Sequence, residues 1–472
     1  MAVKRSPYLV RGFVCFSLTI CVVMIFIGIN ILSLNDYDML VMDEHPYKGV
    51  HDENRANEAI QEDIKVPVII WWTPFTGEKG RVKRCGDLDC FFTVDRHYRH
   101  HPKTKAFLFY GTDFNGLDLP LPRKVGEEWA LLHEESPKNL YLLSHKEVIT
   151  LFNHTATFRR ESDLPITTQY LPSIEWLEDK SYLVPTSQKT EYQRTEGLAP
   201  FIYTHSDCDP PSDRDTFVKM LMKHMKVDSY GKCIHNRDLP EFLQDPLEGM
   251  EHHEFYKLQA KYKFSLSFEN GICNDYITEK VWRPLMVGSV PIIMGSPTAQ
   301  DFLPDKHSAI FLQDFDTLDE FVKFMKRLNE DNDEYEKYLQ WKKTGVTNKY
   351  LLDVMKKREW GINNDFSKPN FIDCLECLVC KRIHENEALK TAGKPQKVHQ
   401  ADQSHYGCPR PKLYDSSGRQ VFDEAWGSFW DSAGQLGKAL GYFVKNNITF
   451  DKEKLYDKAY SLKGYKDARD LV

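Results

Sequence analysis

The longest uninterrupted apolar stretch of the chain lies near its N-terminus, at residues 12–34, and contains no charged side chain. In a helix that rises about 1.5 Å per residue, this length is sufficient to cross the hydrocarbon core of a bilayer. Charged residues flank it on both sides: Lys4, Arg5 and Arg11 before it, Asp36, Asp38, Asp43 and Glu44 after it. The positive-inside rule therefore predicts a cytoplasmic tail at 1–11 and a lumenal remainder. The alternative is a cleaved signal peptide, but the stretch exceeds the apolar core of about 7 to 15 residues and lacks the small-residue cleavage site.

Short apolar runs recur beyond residues 35–65, a polar and acidic stretch without clear periodicity that is typical of a stem. Each run is bounded by turn residues and predicts a buried strand of a parallel sheet. The predicted strands are 66–72, 106–110, 200–204, 264–268, 290–294 and 309–312. Helix-like stretches lie between them, for example 214–225 and 278–286, and a further amphipathic stretch covers 423–444.

Strands that alternate with helices in both halves predict an α/β protein with two doubly wound, Rossmann-like domains facing a cleft. Ligands bind such domains at the carboxyl ends of the strands. We place the domain boundary near residue 190, which gives domains at 66–190 and 191–365 and a C-terminal extension at 366–472. No G-x-G-x-x-G fingerprint follows the first strand and no P-loop motif occurs, so a nucleotide would need another kind of site.

The composition fits a globular protein, since 41% of the 472 residues are hydrophobic and 13% are aromatic. The formal net charge is −7. Neutralising the phosphates of a nucleic acid requires a basic excess that this chain lacks, so we expect no nucleic-acid partner. A local basic pocket for a small phosphate ligand is still compatible with this charge.

The cysteines indicate an oxidising compartment. Of the 11 cysteines, Cys15 and Cys21 lie in the apolar stretch, and the others are odd in number, so at least one thiol is unpaired. Cys85 and Cys90 are close enough for a short-loop bridge. Further disulfide candidates are Cys374, Cys377, Cys380 and Cys408. In a reducing compartment the spacing of the last group would instead suggest zinc or an iron–sulfur cluster.

Two sequons, at Asn153 and Asn447, are candidate N-glycosylation sites that are usable only in the lumen.

The densest polar segment of the chain follows the strand predicted at 264–268 and leads into a helix. Thr278 or Asp275 could cap this helix, whose first amides favour an anion. Lys280 and Arg283 add full positive charges on its opening turn.

Other side chains of this segment suit a sugar nucleotide. Asn270 and Glu279 can hydrogen-bond hydroxyl groups, and Tyr276 can stack or hydrogen-bond. The alternative is a capped amphipathic helix with a solvated charged face.

The string FENGICNDYITEKVWRP resembles the FEN…DYITEK signature of the alpha-1,3-fucosyltransferases, which form glycosyltransferase family 10. Three further blocks occur in the family's order: HEESP at 133–137, LFNHTATFRRESD at 151–163 and DRDTFVKMLMKHMKVDSYGKC at 213–233. The resemblance covers residues 66–365. AFLFYGTDF, HEESPKN, SDCDPPSDRD and the cysteine-rich extension are most similar to the branch of the family to which protein O-fucosyltransferase activity is assigned.

The resemblance implies a GT-B fold, GDP-fucose as donor, and inversion at the anomeric carbon without an essential metal or other cofactor. The positions that match the nucleotide-sugar site of the family are Asn270, Tyr276, Glu279 and Lys280. In that site Lys280 would lie near the diphosphate and Glu279 near the ribose. Arg214 matches an arginine that faces the phosphates.

Glu135 falls on the family's general-base position in the first domain. Inverting transfer needs one carboxylate to take the acceptor's proton and positive groups to stabilise departing GDP. The adjacent Glu134 could be the base instead, or the pair could have no catalytic part. Arg159 matches a family arginine and is a further donor-site candidate, although it or Arg160 could simply pair with Asp163.

Metal binding through a D-x-D pair is the alternative for the donor site, but such pairs are expected by chance. They occur as Asp87/Asp89, Asp207/Asp209, Asp314/Asp316 and Asp331/Asp333. None follows a predicted strand together with other metal ligands, so we expect no metal site.

The acceptor is left open, because Pro284 and the SDCDPPSDRD loop depart from the Lewis-type branch of the family. The first hypothesis is alpha-1,3 transfer to GlcNAc of glycoprotein N-glycans. The second is transfer to Ser or Thr of a folded protein module, and the third is an inactive lumenal lectin or scaffold. We expect a single-pass type II protein of the Golgi or endoplasmic reticulum membrane, with GDP-fucose and a glycoprotein or protein acceptor as partners.

Overall fold

The computed structural model describes residues 64–75, 80–245, 249–362, 367–423 and 425–462. The predicted cytoplasmic tail, the apolar stretch 12–34 and nearly all of the stem lie outside these residues. None of the helices that are described is long and apolar enough to cross a membrane. The anchor at 12–34 therefore stays a prediction.

The first domain is built on a sheet of strands β1 Val68–Thr73, β2 Arg81–Cys85, β3 Leu88–Thr93, β4 Thr104–Tyr110, β5 Glu128–His133, β6 His154–Thr157 and β7 Leu164–Pro165. The strand order is β2-β3-β1-β4-β5-β6-β7. Only β2 and β3 pair in antiparallel fashion, and the other neighbours are parallel. Buried apolar side chains cover both faces of the sheet.

The second domain contains a parallel sheet of strands β8 Phe201–Tyr203, β9 Val227–Ser229, β10 Phe264–Phe268, β11 Val290–Met294 and β12 Ile310–Phe311. The strand order is β12-β11-β10-β8-β9. All of its pairings are parallel. The two α/β domains that the alternating pattern predicts are therefore present. Strands β13 Lys412–Tyr414 and β14 Gln420–Phe422 form a separate hairpin in the tail.

The described helices are α1 Lys146–Ile149, α2 Ile174–Glu178, α3 Thr186–Thr195, α4 Arg214–Leu221, α5 His253–Ala260, α6 Glu279–Val287, α7 Leu318–Glu330, α8 Asn332–Lys337, α9 Trp341–Thr344, α10 Lys349–Lys357, α11 Phe371–Thr391, α12 Ala425–Lys445 and α13 Lys452–Leu462. Short 3-10 helices lie at Arg96–His100, Tyr141–Ser144, Glu241–Leu243, Ala299–Phe302, Leu312–Asp314 and Gln403–His405. Helices α4, α6 and α12 begin within two residues of the predicted helical stretches.

The chain passes from the first sheet to the second domain before position 190. Leu171 and Leu177 already pack in the core of the second domain with α6. Helix α3, which contains position 190, is held there as well, because buried Lys189 donates to the backbone oxygens of Tyr262 at 3.0 Å and Gly288 at 2.6 Å.

The helices of the C-terminal extension belong to the first domain. Helix α11 covers one face of the first sheet, and helices α12 and α13 pack on the opposite face. Close packing of α12 depends on small residues: a Cβ added to Gly437 would lie 3.0 Å from Cγ2 of Val148 in α1. The tail therefore completes the core of a domain that begins about 300 positions earlier.

Disulfides fix this arrangement, and they correct the predicted bridge between Cys85 and Cys90. Cys85 pairs with Cys377, and Cys90 pairs with Cys380. In the β2–β3 hairpin Cys85 lies opposite Leu88, not opposite Cys90, and both cysteines face α11. Two further bridges join Cys208 to Cys233 and Cys273 to Cys408.

Cys374, which we expected among the disulfide candidates, is a free thiol. It lies one turn before Cys377 on α11, and the two cysteines of the β2–β3 hairpin pair with Cys377 and Cys380 instead. The expectation of an unpaired thiol is therefore met by Cys374 among the described cysteines.

Candidate active site

The carboxyl ends of the two sheets meet, and most of the predicted site residues lie there. Glu134 and Glu135 directly follow β5, and residues 269–278 lead from β10 to α6. The two loops are in contact, because a Cβ added to Gly271 would lie only 3.1 Å from Cδ of Pro137. Residues from both halves of the sequence therefore face one another at one interface.

Thr278 caps helix α6. Its Oγ1 accepts a hydrogen bond from the backbone N–H of Lys280 at 3.4 Å. Buried Glu269 in turn accepts from the N–H of Thr278 at 2.8 Å and from its hydroxyl at 2.9 Å. Asp275, the other possible cap, lies in the left-handed region at φ 63° and accepts hydrogen bonds from Arg160 of the first domain. The helix start is thus positioned by Glu269, a residue that the sequence analysis did not single out.

Four charged side chains cluster around the first turn of α6. Lys280 Nζ lies 2.9 Å from Glu279 Oε1 and 3.8 Å from Glu269 Oε2. Burial opposes ionisation of Glu279, but Lys280 and Arg283 outweigh it and lower its pKa to about 2. Burial also opposes the charge on Lys280, but Glu279 and Glu269 raise its pKa. Lys280 is therefore a fixed cation beside a helix N-terminus, a position that favours a diphosphate.

Arg214 is buried behind this cluster, with 1% of its surface exposed. Its guanidinium donates to the backbone oxygens of Phe268 at 3.0 Å and Asp207 at 2.6 Å. These bonds join the carboxyl end of β10 to the loop after β8. Arg214 positions these loops and adds positive charge near Lys280, and its contact with the phosphates stays a prediction.

Asn270 and Tyr276 lie between the domains and differ in what they offer a ligand. The Oδ1 atom of Asn270 is buried and has no hydrogen-bond partner among the described residues. Tyr276 is 3% exposed, and its ring packs edge-on against Phe158, with the ring centroids 5.0 Å apart. Stacking of Tyr276 on a ligand, which the sequence suggested, stays a prediction. Burial, Glu269 and Glu135 raise the pKa of its hydroxyl.

Arg159 is committed to contacts within the protein. It donates to the backbone oxygen of Tyr406 at 3.1 Å and to Glu161 at 3.2 Å. Neither Arg159 nor its neighbour pairs with Asp163, which binds Arg382 of α11 at 2.8 Å. The structure therefore connects Arg159 to the tail and does not bring it to the charged cluster.

The two glutamates after β5 lie in different environments. Glu134 is buried, and its carboxylate accepts a hydrogen bond from the Tyr110 hydroxyl at 2.9 Å. Burial raises the pKa of Glu134 to about 7. Burial also raises the pKa of Glu135, which Lys280 counteracts and Glu279 reinforces. Glu135 is partly exposed and faces the charged cluster of the other domain. A general base that acts on an acceptor beside the donor needs such a position.

Three site features were not predicted. The hydroxyl of Tyr406, from the tail, donates to the backbone oxygen of Glu135 at 3.1 Å. Lys138 forms an ion pair with Asp207 across the interface. His133 is buried with both ring nitrogens unpartnered among the described residues, and burial lowers its pKa to about 3. Lys138 and Asp207 lie in blocks that the sequence had marked, whereas no local signal links Tyr406 to Glu135.

The two sequons differ in accessibility. Asn153 is held inside the fold, because its amide nitrogen donates to the backbone oxygen of His399 at 2.9 Å and its oxygen accepts from Trp129 N–H at 2.9 Å. Asn153 is partly buried, and its glycosylation stays a prediction. Asn447 is exposed beyond α12 and stays a candidate.

Metal-ligand groupings within the described ranges offer little support for a metal site. The two groupings are Cys90 with Cys380 and His384, and Cys208 with Cys233 and Asp215. Each contains a disulfide pair, whose sulfur atoms are not thiolates.

Two family models match the chain. Residues 196–399 match "Glycosyltransferase family 10 (fucosyltransferase) C-term", and residues 64–170 match "Fucosyltransferase, N-terminal". The two matches correspond to the two sheets.

Curated relatives are similar along most of the chain. A protein named GDP-fucose protein O-fucosyltransferase 3 from Rattus norvegicus is 49% identical over 399 residues, which cover 83% of this chain and 82% of the relative. The protein of the same name from Homo sapiens is 47% identical over 396 residues, with coverage of 83% and 82%. A crystal structure of an alpha1,3-fucosyltransferase with GDP aligns with 69% of this chain and 93% of its own, at 14% identity and a TM-score of 0.35.

Proposed function

This chain belongs to glycosyltransferase family 10 and is a fucosyltransferase, and from that premise we propose that it transfers fucose from GDP-fucose to Ser or Thr hydroxyls of proteins. The observation that carries the proposal is the similarity to GDP-fucose protein O-fucosyltransferases at 47 to 49% identity over more than four fifths of the chain. These names favour the second of our three hypotheses, transfer to a protein, over the first, transfer to N-glycan GlcNAc.

The geometry supports an inverting displacement. Glu135 takes the proton of the acceptor hydroxyl while the hydroxyl oxygen forms a bond to the anomeric carbon of fucose. The bond from that carbon to the β-phosphate oxygen breaks on the opposite face, and its electron pair leaves with GDP. Lys280 and the N-terminus of α6 stabilise the added negative charge on the diphosphate, so the proposed reaction needs no essential metal.

Residence in the secretory pathway is part of the proposal. Eight of the described cysteines form disulfides, which persist in oxidising compartments. The apolar stretch 12–34 and its flanking charges support a single-pass type II anchor in the Golgi or endoplasmic reticulum membrane, with both α/β domains lumenal.

The proposal is tested by offering GDP-fucose and two acceptors separately. One is a folded, disulfide-containing protein module with exposed Ser and Thr, and the other is an N-glycan with terminal GlcNAc. We expect transfer to the folded module and much less to the same module after reduction and alkylation. Transfer to the glycan alone would contradict it. Repeating the assay in excess EDTA tests metal independence, and activity that is lost and then restored by manganese would refute it.

A further inference from the structure

A cavity of about 410 Å³ lies at the carboxyl ends of β10, β11 and β12. This volume falls within the range of about 300 to 1,000 Å³ that is usual for small-molecule sites. The cavity adjoins the charged cluster on α6. Gly295 lines the cavity, a Cβ added to it would lie 2.9 Å from Cγ of Glu269, and Glu269 is 3.8 Å from Lys280 Nζ. A ligand whose diphosphate is held at Lys280 could therefore extend into this cavity.

The outer side of the cavity is formed by residues 409–420 of the tail, here called the wall segment. Strand β13 shows the alternation expected of a strand with one side facing a cavity. Lys412 and Tyr414 line the cavity, while Leu413 between them does not. Gln420, which pairs with Tyr414 across the hairpin, lines it as well, and Val421 does not.

The wall segment is fixed at its start and in its middle. Cys408, directly before it, is bonded to Cys273 in the loop between β10 and α6. The backbone N–H of Tyr414 donates to Oδ2 of Asp213 at 2.7 Å, directly before α4. The backbone oxygen of Ser417 accepts from the N–H of Leu318 at 3.2 Å, at the start of α7. These contacts hold the wall segment against the second domain, where it lines the cavity.

The lining matches the chemistry of a nucleoside. Apolar side chains from the strand ends, including Ile272, Met294 and Leu312, form one part of the lining. Charged groups of opposite sign, Asp316 and Lys412, also line it. A guanine base offers an amino donor and the acceptors O6 and N7, which a carboxylate and an ammonium group can bind.

A second observation points to a ligand in this place. Tyr141 lines the cavity from the first domain, is 3% exposed, and its hydroxyl has no hydrogen-bond partner among the described residues. Buried polar groups are seldom left unpaired, so this hydroxyl is available to a polar atom in the cavity.

We propose that the wall segment closes the nucleoside part of the donor pocket, so that the guanosine of GDP-fucose lies between residues 409–420 and the carboxyl ends of β10, β11 and β12. The tail then contributes to donor binding as well as to the first domain's core. This inference rests on the proposed use of GDP-fucose, and it adds a donor-binding element outside the family signature.

The test fills the cavity from the wall segment and measures GDP binding to the full-length protein by isothermal titration. Lys412→Trp places a large side chain inside the cavity, and Val421→Trp places the same side chain on the same hairpin outside it. We expect the first variant to weaken GDP binding about tenfold or more, and the second to bind GDP as the wild type does.

A second filled variant guards against misfolding of the hairpin. Gln313→Trp enters the same cavity from the 3-10 helix Leu312–Asp314 of the second domain, and we expect it to weaken GDP binding as well. Wild-type affinity in Gln313→Trp and in a folded Lys412→Trp would overturn the inference. If both filled variants bind GDP normally but Lys280→Ala weakens GDP binding, the proposed function stands and only the inference about the wall segment fails. A wild-type protein that binds no GDP would refute the proposed function itself.

Discussion

At the scale of single residues, adjacent glutamates receive different properties from their surroundings. Glu134 is enclosed and bonded to Tyr110, while Glu135 faces Lys280 and Glu279 from the other domain. The sequence could narrow the base to this pair but could not choose within it, because the choice depends on which carboxylate faces the donor. The contacts favour Glu135 as the base, and the variants Glu135→Gln and Glu134→Gln test this choice.

Replacing Glu135 with Gln keeps the size of the side chain but removes its ability to accept a proton. We expect turnover to fall by about 10²- to 10⁴-fold while GDP affinity is unchanged. Glu134→Gln is the matched control and should retain most of its turnover. If Glu134→Gln is inactive and Glu135→Gln is active, the base is assigned one residue too late.

Glu134 should also leave a signature in the pH dependence of stability. Its pKa is raised to about 7 in the folded protein, compared with about 4.3 in an unfolded chain. The folded state therefore holds this proton more tightly, and the resulting stabilisation is present below about pH 4.3 and lost as the pH rises through about 7. Glu134→Gln cannot ionise, so its melting temperature should fall less than that of the wild type between about pH 5 and 8. If the melting temperatures of Glu134→Gln and the wild type change equally with pH across this range, the raised pKa of Glu134 is contradicted.

Lys280 is the cation in the first turn of α6 that we propose binds the diphosphate. Its replacement by Ala removes a charge-assisted contact worth roughly 1.5 to 3 kcal/mol, which corresponds to about 10- to 150-fold weaker GDP binding. Lys257→Ala is a suitable control, because this exposed lysine of α5 pairs only with Glu254 among the described residues. Isothermal titration that gives wild-type affinity for Lys280→Ala would remove this residue from the donor site.

At the scale of elements, some strands could be predicted from the sequence and others could not. Strands β10 and β11 have the predicted bounds, and all five residues of each strand are buried. Strands β7 and β9 contain two and three residues, too few for any periodicity to show. In β2, at one edge of the first sheet, three of the five residues are charged, which conceals the strand.

Helix α11 shows a further limit of local patterns. Its three cysteines are visible in the sequence, but the partners of Cys377 and Cys380 lie about 290 positions away, so the connectivity could not be read from spacing.

Replacing Cys380 with Ser should therefore loosen α11 from the first sheet. Loss of a native disulfide that closes so long a loop typically lowers the free energy of unfolding by about 2 to 5 kcal/mol. The neighbouring Cys374→Ser removes a free thiol from the same helix and should have little effect. Equal melting temperatures of the two variants under non-reducing conditions would contradict this disulfide assignment.

At the scale of the whole molecule, the two predicted domains are present, but the tail has more roles than the sequence suggested. It covers both faces of the first sheet, supplies Tyr406 beneath Glu135, and forms one side of the cavity beside Lys280. None of these contacts leaves a local pattern, because each joins segments about 100 positions or more apart. The signature loop, in contrast, could be recognised because its residues are contiguous.

We propose that this fucosyltransferase modifies protein hydroxyls, and peptide mapping of a single acceptor is the sharpest test of this proposal. A folded acceptor module that carries both free Ser or Thr and an N-glycan with exposed GlcNAc is incubated with GDP-fucose and the full-length protein. The glycan is then released enzymatically, and the peptides and the glycan are analysed separately by tandem mass spectrometry. We predict fucose on a Ser or Thr of the peptide, lost with Glu135→Gln. Fucose found only on the released glycan would contradict the account.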